Sequence, residues 1–228
     1  MSSVVKKIAE IPVTTRIPAA ERRELILQAA TTVFAERGYA GATTDQVAKA
    51  AAISQPYVVR MFGTKEALFL EAFDRALGTV LREFRAVIAD YDAGLLADKV
   101  ASLDPAQGTR RQDHLKYLIA VSYADLIADR GILMMLMQSF VAGHEPVIGP
   151  RARDGFLTMF RLIRDEAGMD ADSARDFLAQ GMLMNTLISL RLPEVYDEDA
   201  TAGELLECTL KAKLNMVLDT SRAQQRIG

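Results

Sequence analysis

The sequence predicts an all-α protein, with an amino-terminal helix-turn-helix three-helix domain followed by a larger helical domain. Helix formers (Ala, Leu, Arg, Glu, Met) dominate its 228 residues, and half of the chain is apolar, enough for a sizeable core. No clear run alternates apolar and polar residues with the period of two that a half-buried strand needs. Apolar residues recur instead at i, i+3, i+4 and i+7, the spacing of one helix face.

Residues 1–17 contain Pro12, Thr14 and Thr15 without helical periodicity and read as a mobile arm. Its Lys6, Lys7 and Arg16 could enter a groove of DNA, as basic arms do in other binders, or serve no role. The first helix starts near Ala19: Ile26, Ala29, Ala30, Val33 and Phe34 make one stripe, and Gly38 is a natural stop. Arg22 and Arg23 lie in its first turn, where the helix dipole disfavours positive charge, which hints at an external anion; solvated surface arginines are the plainer reading.

From Thr43 to Leu68 the chain reads as a short helix, a turn, a second short helix, another turn and the start of a third. Val47, Ala48, Ala51, Ile53, Val58 and Phe62 are its apolar anchors. Thr43 or Thr44 is expected to cap the first of these helices, Ser54 the second and Thr64 the third, each hydroxyl accepting from opening-turn amides. Pro56 sits just inside the second helix, where its fixed φ suits the start. Gln55, Tyr57, Arg60 and Met61 are left facing outward on it. Gln pairs bidentately with adenine, Arg with guanine, and an apolar edge such as Pro56 meets a thymine methyl. A helix with that outward face, braced by a preceding helix, has the geometry of helix-turn-helix DNA binders; three helices that merely cap a core would have the same spacing. Lys65 opens the next helix, at an end that already attracts anions, and is expected to clamp phosphate.

A continuous helical pattern runs from Thr64 to about Tyr91, with Gly78 weakening but not breaking it. No linker precedes it, so it can pass a tilt from the body to the DNA-reading unit. Beyond it a short helix is expected around Leu95 to Leu103, then helices near Arg110–Asp129 and Gly131–Gly143, then 145–167, 171–191 and a last one over about 202–219, with the final residues frayed. The Gly131–Gly143 segment is apolar nearly all round and belongs inside the body. Methionine is an adaptable gap-filler. The methionine-rich interior is therefore either a plain core or a pliable cavity for an apolar effector. In the second case Tyr117, Tyr123, Met134, Met137, Gln138, Phe140, Phe160, Met182 and Asn185 are the candidate ligand contacts, with His114 a further polar candidate.

The net charge is −3, but residues 1–65 hold nine Lys or Arg against five acids, leaving 18 against 25 in the remainder. A basic unit on an acidic body is the asymmetry expected when one end meets phosphate. Apolar runs fall far short of the ~18 residues that span a bilayer, and Met1–Glu10 lacks a secretory core, so no membrane partner is expected. The single cysteine, Cys208, excludes an intrachain disulfide framework, suits a reducing cytoplasm and reads as a small buried side chain. There is no nucleophile elbow, P-loop or dinucleotide-binding glycine motif, and two histidines without further ligands make no metal site. Neither an enzyme nor a cofactor is expected.

Roughly fifty of the 228 residues, the stretch ending at Leu68 and the helix before it, resemble the amino-terminal domain of the TetR (tetracycline-repressor) family. Phe34, Gly38, Tyr39, Thr43 and Thr44 match the family's helix-end pattern; Val47, Ala48, Ala51, Ala52, Ile53 and Ser54 match the turn segment; Phe62, Lys65, Glu66 and Leu68 match the aromatic and K-E-x-L that follow. Three positions depart from it: Ala52 stands where Gly is usual, Val59 where a phosphate-reaching Tyr is frequent, and Met61 where His is frequent. The resemblance implies a cytoplasmic transcriptional regulator with an arm (1–17), a DNA-binding domain (18–65) and an effector-binding and dimerisation domain (66–228). Its DNA contacts would be Thr43, Thr44, Gln55, Pro56, Tyr57, Arg60 and Lys65, with Gln55, Tyr57 and Arg60 reading bases and Thr44 and Lys65 gripping phosphate. Its partners would be double-stranded DNA at a near-palindromic operator, a small apolar effector, and a second copy of the chain through a late helix pair. Repression is the expected sense. The alternative is a small-molecule-binding or sequestering protein whose DNA-binding unit has degenerated.

Overall fold

The computed structural model describes residues 18–126 and 130–225, so the expected arm lies outside the described residues. Eleven α-helices are seen among them: α1 (Ala19–Gly41), α2 (Thr44–Ala50), α3 (Gln55–Phe62), α4 (Lys65–Asp92), α5 (Ala97–Ala101), α6 (Arg111–Asp125), α7 (Arg130–Val141), α8 (Ile148–Arg161), α9 (Ala171–Ser189), α10 (Ala200–Leu210) and α11 (Leu214–Gln225). No strand occurs among the described residues.

α1 to α3 and the start of α4 form a head. Ile26, Ala30, Val33 and Phe34 of α1 bury against Val47 and Ala48 of α2, Val58 and Phe62 of α3, and Leu68 and Phe69 of α4. Phe69 takes the edges of Phe34 and Tyr39 at ring separations of 4.9 and 5.1 Å, a preferred aromatic arrangement. α1 bends sharply at Gly38, whose φ of 68° a side chain would strain. The expected stop is there, and a last turn re-forms beyond it to Gly41.

α4 runs unbroken for 28 residues, about 42 Å at 1.5 Å per residue, from the head through the body. Its inner face (Leu68, Ala72, Phe73, Ala76, Leu77, Val80, Phe84, Ile88) is buried along its whole length. One cluster of buried side chains therefore continues from Ile26 in the head to Phe177 in α9, and no gap in packing falls at residue 65. Gly155 of α8 makes the α4–α8 crossing possible: a Cβ there would sit 2.7 Å from Phe73 and 2.8 Å from Leu77. α7 lies between α1, α4, α8 and α9, with Ile132, Leu133, Met135 and Leu136 fully packed, as its all-round apolar character predicts.

Arginines tie the outer ends of these helices. Arg111 makes a two-pronged pair with Asp92 (2.8 and 2.7 Å) and also donates to the Ala167 carbonyl; Arg85 grips Glu166, and Arg151 links Asp74 to Asp154. Three expectations are corrected. The stretch expected to be one helix over 145–167 is α8 continued by a π-helical turn, Leu162–Glu166. The closing helix is two, because Lys211 (φ 50°, ψ −122°) breaks the chain between α10 and α11. Cys208 is exposed, not buried, on α10.

Candidate nucleic-acid interface

α2 is fixed by a reciprocal cap. Gln46 N donates to Thr43 Oγ1 (3.2 Å) while Thr43 N donates to Gln46 Oε1 (3.0 Å), so Thr43 is the cap and its hydroxyl oxygen accepts from the helix, with its O–H left to donate. Gln46 was not singled out in the sequence, although T-x-x-Q before an apolar pair is the signature of this cap. Thr44 is the first helical residue, and its hydroxyl accepts from Gln55 Nε2 at 3.3 Å across the turn. Ala52 makes the turn at φ 53°, at a cost of roughly 1 kcal/mol for a residue with a Cβ. Ser54, expected to cap α3 through its side chain, makes no side-chain cap bond; its carbonyl accepts from Tyr57 N and Val58 N instead. Pro56 in the first turn removes one donor that would otherwise need a cap.

α3 turns Val58 and Phe62 into the core and presents Gln55, Pro56, Val59 and Arg60 to solvent. Val59 is 42% exposed, an apolar patch on the outward face that the base-contact list from the sequence omitted. Tyr57 is half-buried and holds two guanidiniums over its ring, Arg22 from α1 and Arg60 from α3, each 4.7 Å from the centroid. Arg22 Nε is buried without a hydrogen-bond partner, and neither arginine has a carboxylate within ion-pair distance among the described residues. Arg23, by contrast, pairs with Glu71 and lies 5.1 Å over Phe62. The anion hint from the first turn of α1 therefore rests on Arg22 alone.

Lys65 is half-buried and used within the chain: Nζ donates to the Tyr39 and Ala42 carbonyls at 2.8 and 3.2 Å and sits 4.5 Å over the Tyr39 ring. It staples the start of α4 to the end of α1, which leaves one of its three donors for an external group. Thr44, Gln55, Pro56, Tyr57, Arg60 and Lys65 thus lie on α2, α3 or the α4 start, and Thr43 immediately precedes α2; within that set Thr43 caps, Tyr57 positions cations and Lys65 joins helices.

The nine candidate ligand contacts do not converge as one set. Tyr123, Phe140, Met182 and Asn185 share the wall of a narrow apolar chamber with Phe84, Phe156 and Met159. Tyr123 and Asn185 hydrogen-bond each other there at 3.0 and 2.8 Å, and burial pushes the Tyr123 hydroxyl up to about 12, so it stays neutral. Tyr117 faces a separate groove of about 570 Å³ between α4, α5 and α6. Met134 and Gln138 line a cleft of about 500 Å³ between α1 and α7. Met137 lines none of these spaces, and Phe160 packs under Arg164 at 5.4 Å. His114 bonds Tyr91 at 2.9 Å and is engaged in the body's packing. Helical periodicity identified which residues face inward but not which side of α6 or α7 each interior space lies on.

Comparison with known proteins places these features. Residues 26–72 match the family described as bacterial regulatory proteins, tetR family. The HTH-type transcriptional activator FasR of Mycolicibacterium smegmatis is 34% identical over 73 residues, 32% of this chain and 33% of that protein, so the likeness spans about a third of that relative. Among solved structures, a candidate transcriptional regulator from Pseudomonas aeruginosa PAO1 aligns over 91% of this chain and 90% of its own, with a TM-score of 0.52 and 16% identity. NalD, the secondary repressor of the MexAB-OprM multidrug efflux pump in Pseudomonas aeruginosa, aligns over 84% and 96%, with a TM-score of 0.50 and 22% identity. These two share the helical fold over the aligned residues.

Proposed function

We propose that this chain, whose residues 26–72 match the tetR family of bacterial regulatory proteins, acts as a dimeric repressor whose α3 reads a near-palindromic operator. The observation that carries the reading is the outward face of α3, where Gln55 and Arg60 stand free of carboxylates beside Pro56 and Val59. Arg60 and Gln55 suit guanine and adenine edges, and Pro56 and Val59 suit thymine methyls. Arg22, Thr44 and the remaining donor of Lys65 supply phosphate contacts around that face. A regulatory family is also the reason an enzymatic reading is set aside.

Dimerisation is assigned to the solvent stripe of α9, where Leu183 is 41% and the adjoining Leu190 65% exposed, joined by Leu205 of α10. The late helix pair offered by the sequence, 145–167 and 171–191, adds Leu157 of α8, 48% exposed, to this surface. Two-fold symmetry then sets half-sites about one helical turn, on the order of 34 Å, or more apart. The effector is apolar and enters the chamber bounded by Phe84, Phe140, Phe156, Met159 and Met182. It releases DNA by favouring a state in which the two α3 helices no longer match that spacing, since a ligand shifts only an equilibrium it binds differentially. NalD is named a repressor and FasR an activator; repression is the sense proposed here. Footprinting on the DNA flanking the protein's own gene tests the reading. Protection of a two-fold-symmetric site by a species of twice the chain mass is expected. Equal affinity for that DNA and a scrambled duplex at low salt would overturn it.

A further inference from the structure

The break between α10 and α11 places a lysine in an unusual position. Lys213 closes the short turn Lys211–Lys213, and its side chain is half-buried against a crevice lined by Ala120 and Tyr123 of α6, Phe177, Gln180, Gly181 and Met184 of α9, and Thr209 and Leu210 of α10. Among the described residues no carboxylate pairs with it; burial alone pushes its ammonium down to about 8. The crevice lining holds no Asp or Glu, and its Gln180, a neutral group, donates to the Thr209 carbonyl at 3.1 Å. A cation withdrawn from water without a partner destabilises the fold. Lysine costs less where a bound anion completes the site.

The second observation is what lies behind that crevice. Tyr123, Phe177 and Gly181 form a wall common to the lysine crevice and the apolar chamber. Gly181 keeps this wall thin: a Cβ there would touch the Tyr123 ring at 3.6 Å. On one side stands a cation, on the other Phe84, Leu136, Phe140, Phe156 and Met159. We propose that this pair of spaces is one site for an amphipathic monocarboxylate, its head paired with Lys213 and its apolar body lying past Gly181 into the chamber. Each void is narrow, about 30 Å³, so entry requires side chains to move aside. Met182 and Met184, unbranched and adaptable, stand where that movement is needed.

This assignment keeps the apolar body of the effector proposed above, adds a charged head to it, and rests on that reading for its regulatory meaning, but the binding test does not involve DNA. Calorimetric titration of the full chain with octanoate, octan-1-ol and octylammonium reads the site directly. Octanoate is expected to saturate and to bind at least ~10-fold more tightly than octylammonium, as for a charge-paired head group. Lys213→Met should weaken octanoate at least ~10-fold and leave octan-1-ol unchanged, whereas Lys213→Arg should keep most of the octanoate affinity. Circular dichroism confirms that each variant is folded. Octanoate binding that is absent, or equal in wild type and Lys213→Met, would overturn the site. Operator release by octanoate is read separately: saturation without release would keep the site and remove its role as the effector pocket.

Discussion

At the residue scale, the feature that best explains the head's chemistry is Tyr57. Its ring faces two guanidiniums at once, and cation–π attraction holds together charges that repel each other. The role follows from the ring and not the hydroxyl. Tyr57→Phe should therefore bind operator DNA nearly as well as wild type, while Tyr57→Ala should lose ~10-fold or more by freeing both arginines. A Phe variant as weak as the Ala variant in fluorescence anisotropy would transfer the role to the hydroxyl. Ala52 holds φ at 53° without need of its methyl group, so Ala52→Gly should raise stability by about 0.5–1 kcal/mol, read as a higher urea midpoint. Lys213 gives a pH signature. Its folded value of about 8 lies below the ordinary lysine value of 10.5 that applies in the unfolded chain. The unfolded chain thus holds more protons between these values, and stability contributed at this site rises with pH across that window. Lys213→Met should be more stable than wild type by roughly 1 kcal/mol at pH 7, after allowance for the lysine's partial exposure, and the difference should shrink as pH climbs from 8 to 10.5.

At the element scale, the head is joined to the body twice. α4 passes through both without a break, and α7 lies along α1, with Gln138 donating to the Ala35 carbonyl at 3.4 Å beside the Gly38 bend. In the function proposed, movement of α7 or α4 around an effector would pass through these contacts to α1, the helix that carries Arg22. The α4–α8 crossing depends on the absence of a side chain at residue 155. Gly155→Val should cost about 1–3 kcal/mol by overpacking Phe73 and Leu77, measured as a lower denaturation midpoint. Much of this element layout was legible in the sequence: the stripe of α1, the Gly38 stop, the capped α2 and the unbroken α4 all follow from local rules. What was not legible depends on tertiary placement. That Lys65 would spend two donors on the Tyr39 and Ala42 carbonyls could not be read from a position that looks solvent-facing at a helix start. The break at Lys211 is invisible because lysine is an ordinary helix former. The dispersal of Tyr117, Met134 and Gln138 to different spaces depends on helix rotation, which periodicity leaves free by the width of an apolar stripe.

At the scale of the whole molecule, a basic head on an acidic body has consequences beyond contact chemistry. The body's excess of acids disfavours wrapping of DNA around it and directs approach through the head. Among the described residues no helix is long and apolar enough to cross a membrane. Lys65 also acts at this scale: it fixes the head's inner geometry and, in the function proposed, keeps one donor for phosphate. Lys65→Ala should weaken all DNA sequences alike, reduce the salt slope by about one unit at most, and lower stability together with affinity. A loss of affinity confined to particular base pairs would contradict that placement.

The most direct test of the account is operator binding by Arg60→Ala across a set of duplexes in which each half-site base pair is changed in turn, followed by fluorescence anisotropy at fixed salt. Wild type should lose about 1–3 kcal/mol at its guanine position, and Arg60→Ala should show that same position as neutral while keeping its preferences elsewhere. If Arg60→Ala retained the full wild-type pattern of preferences, α3 would not be the element that reads the sequence.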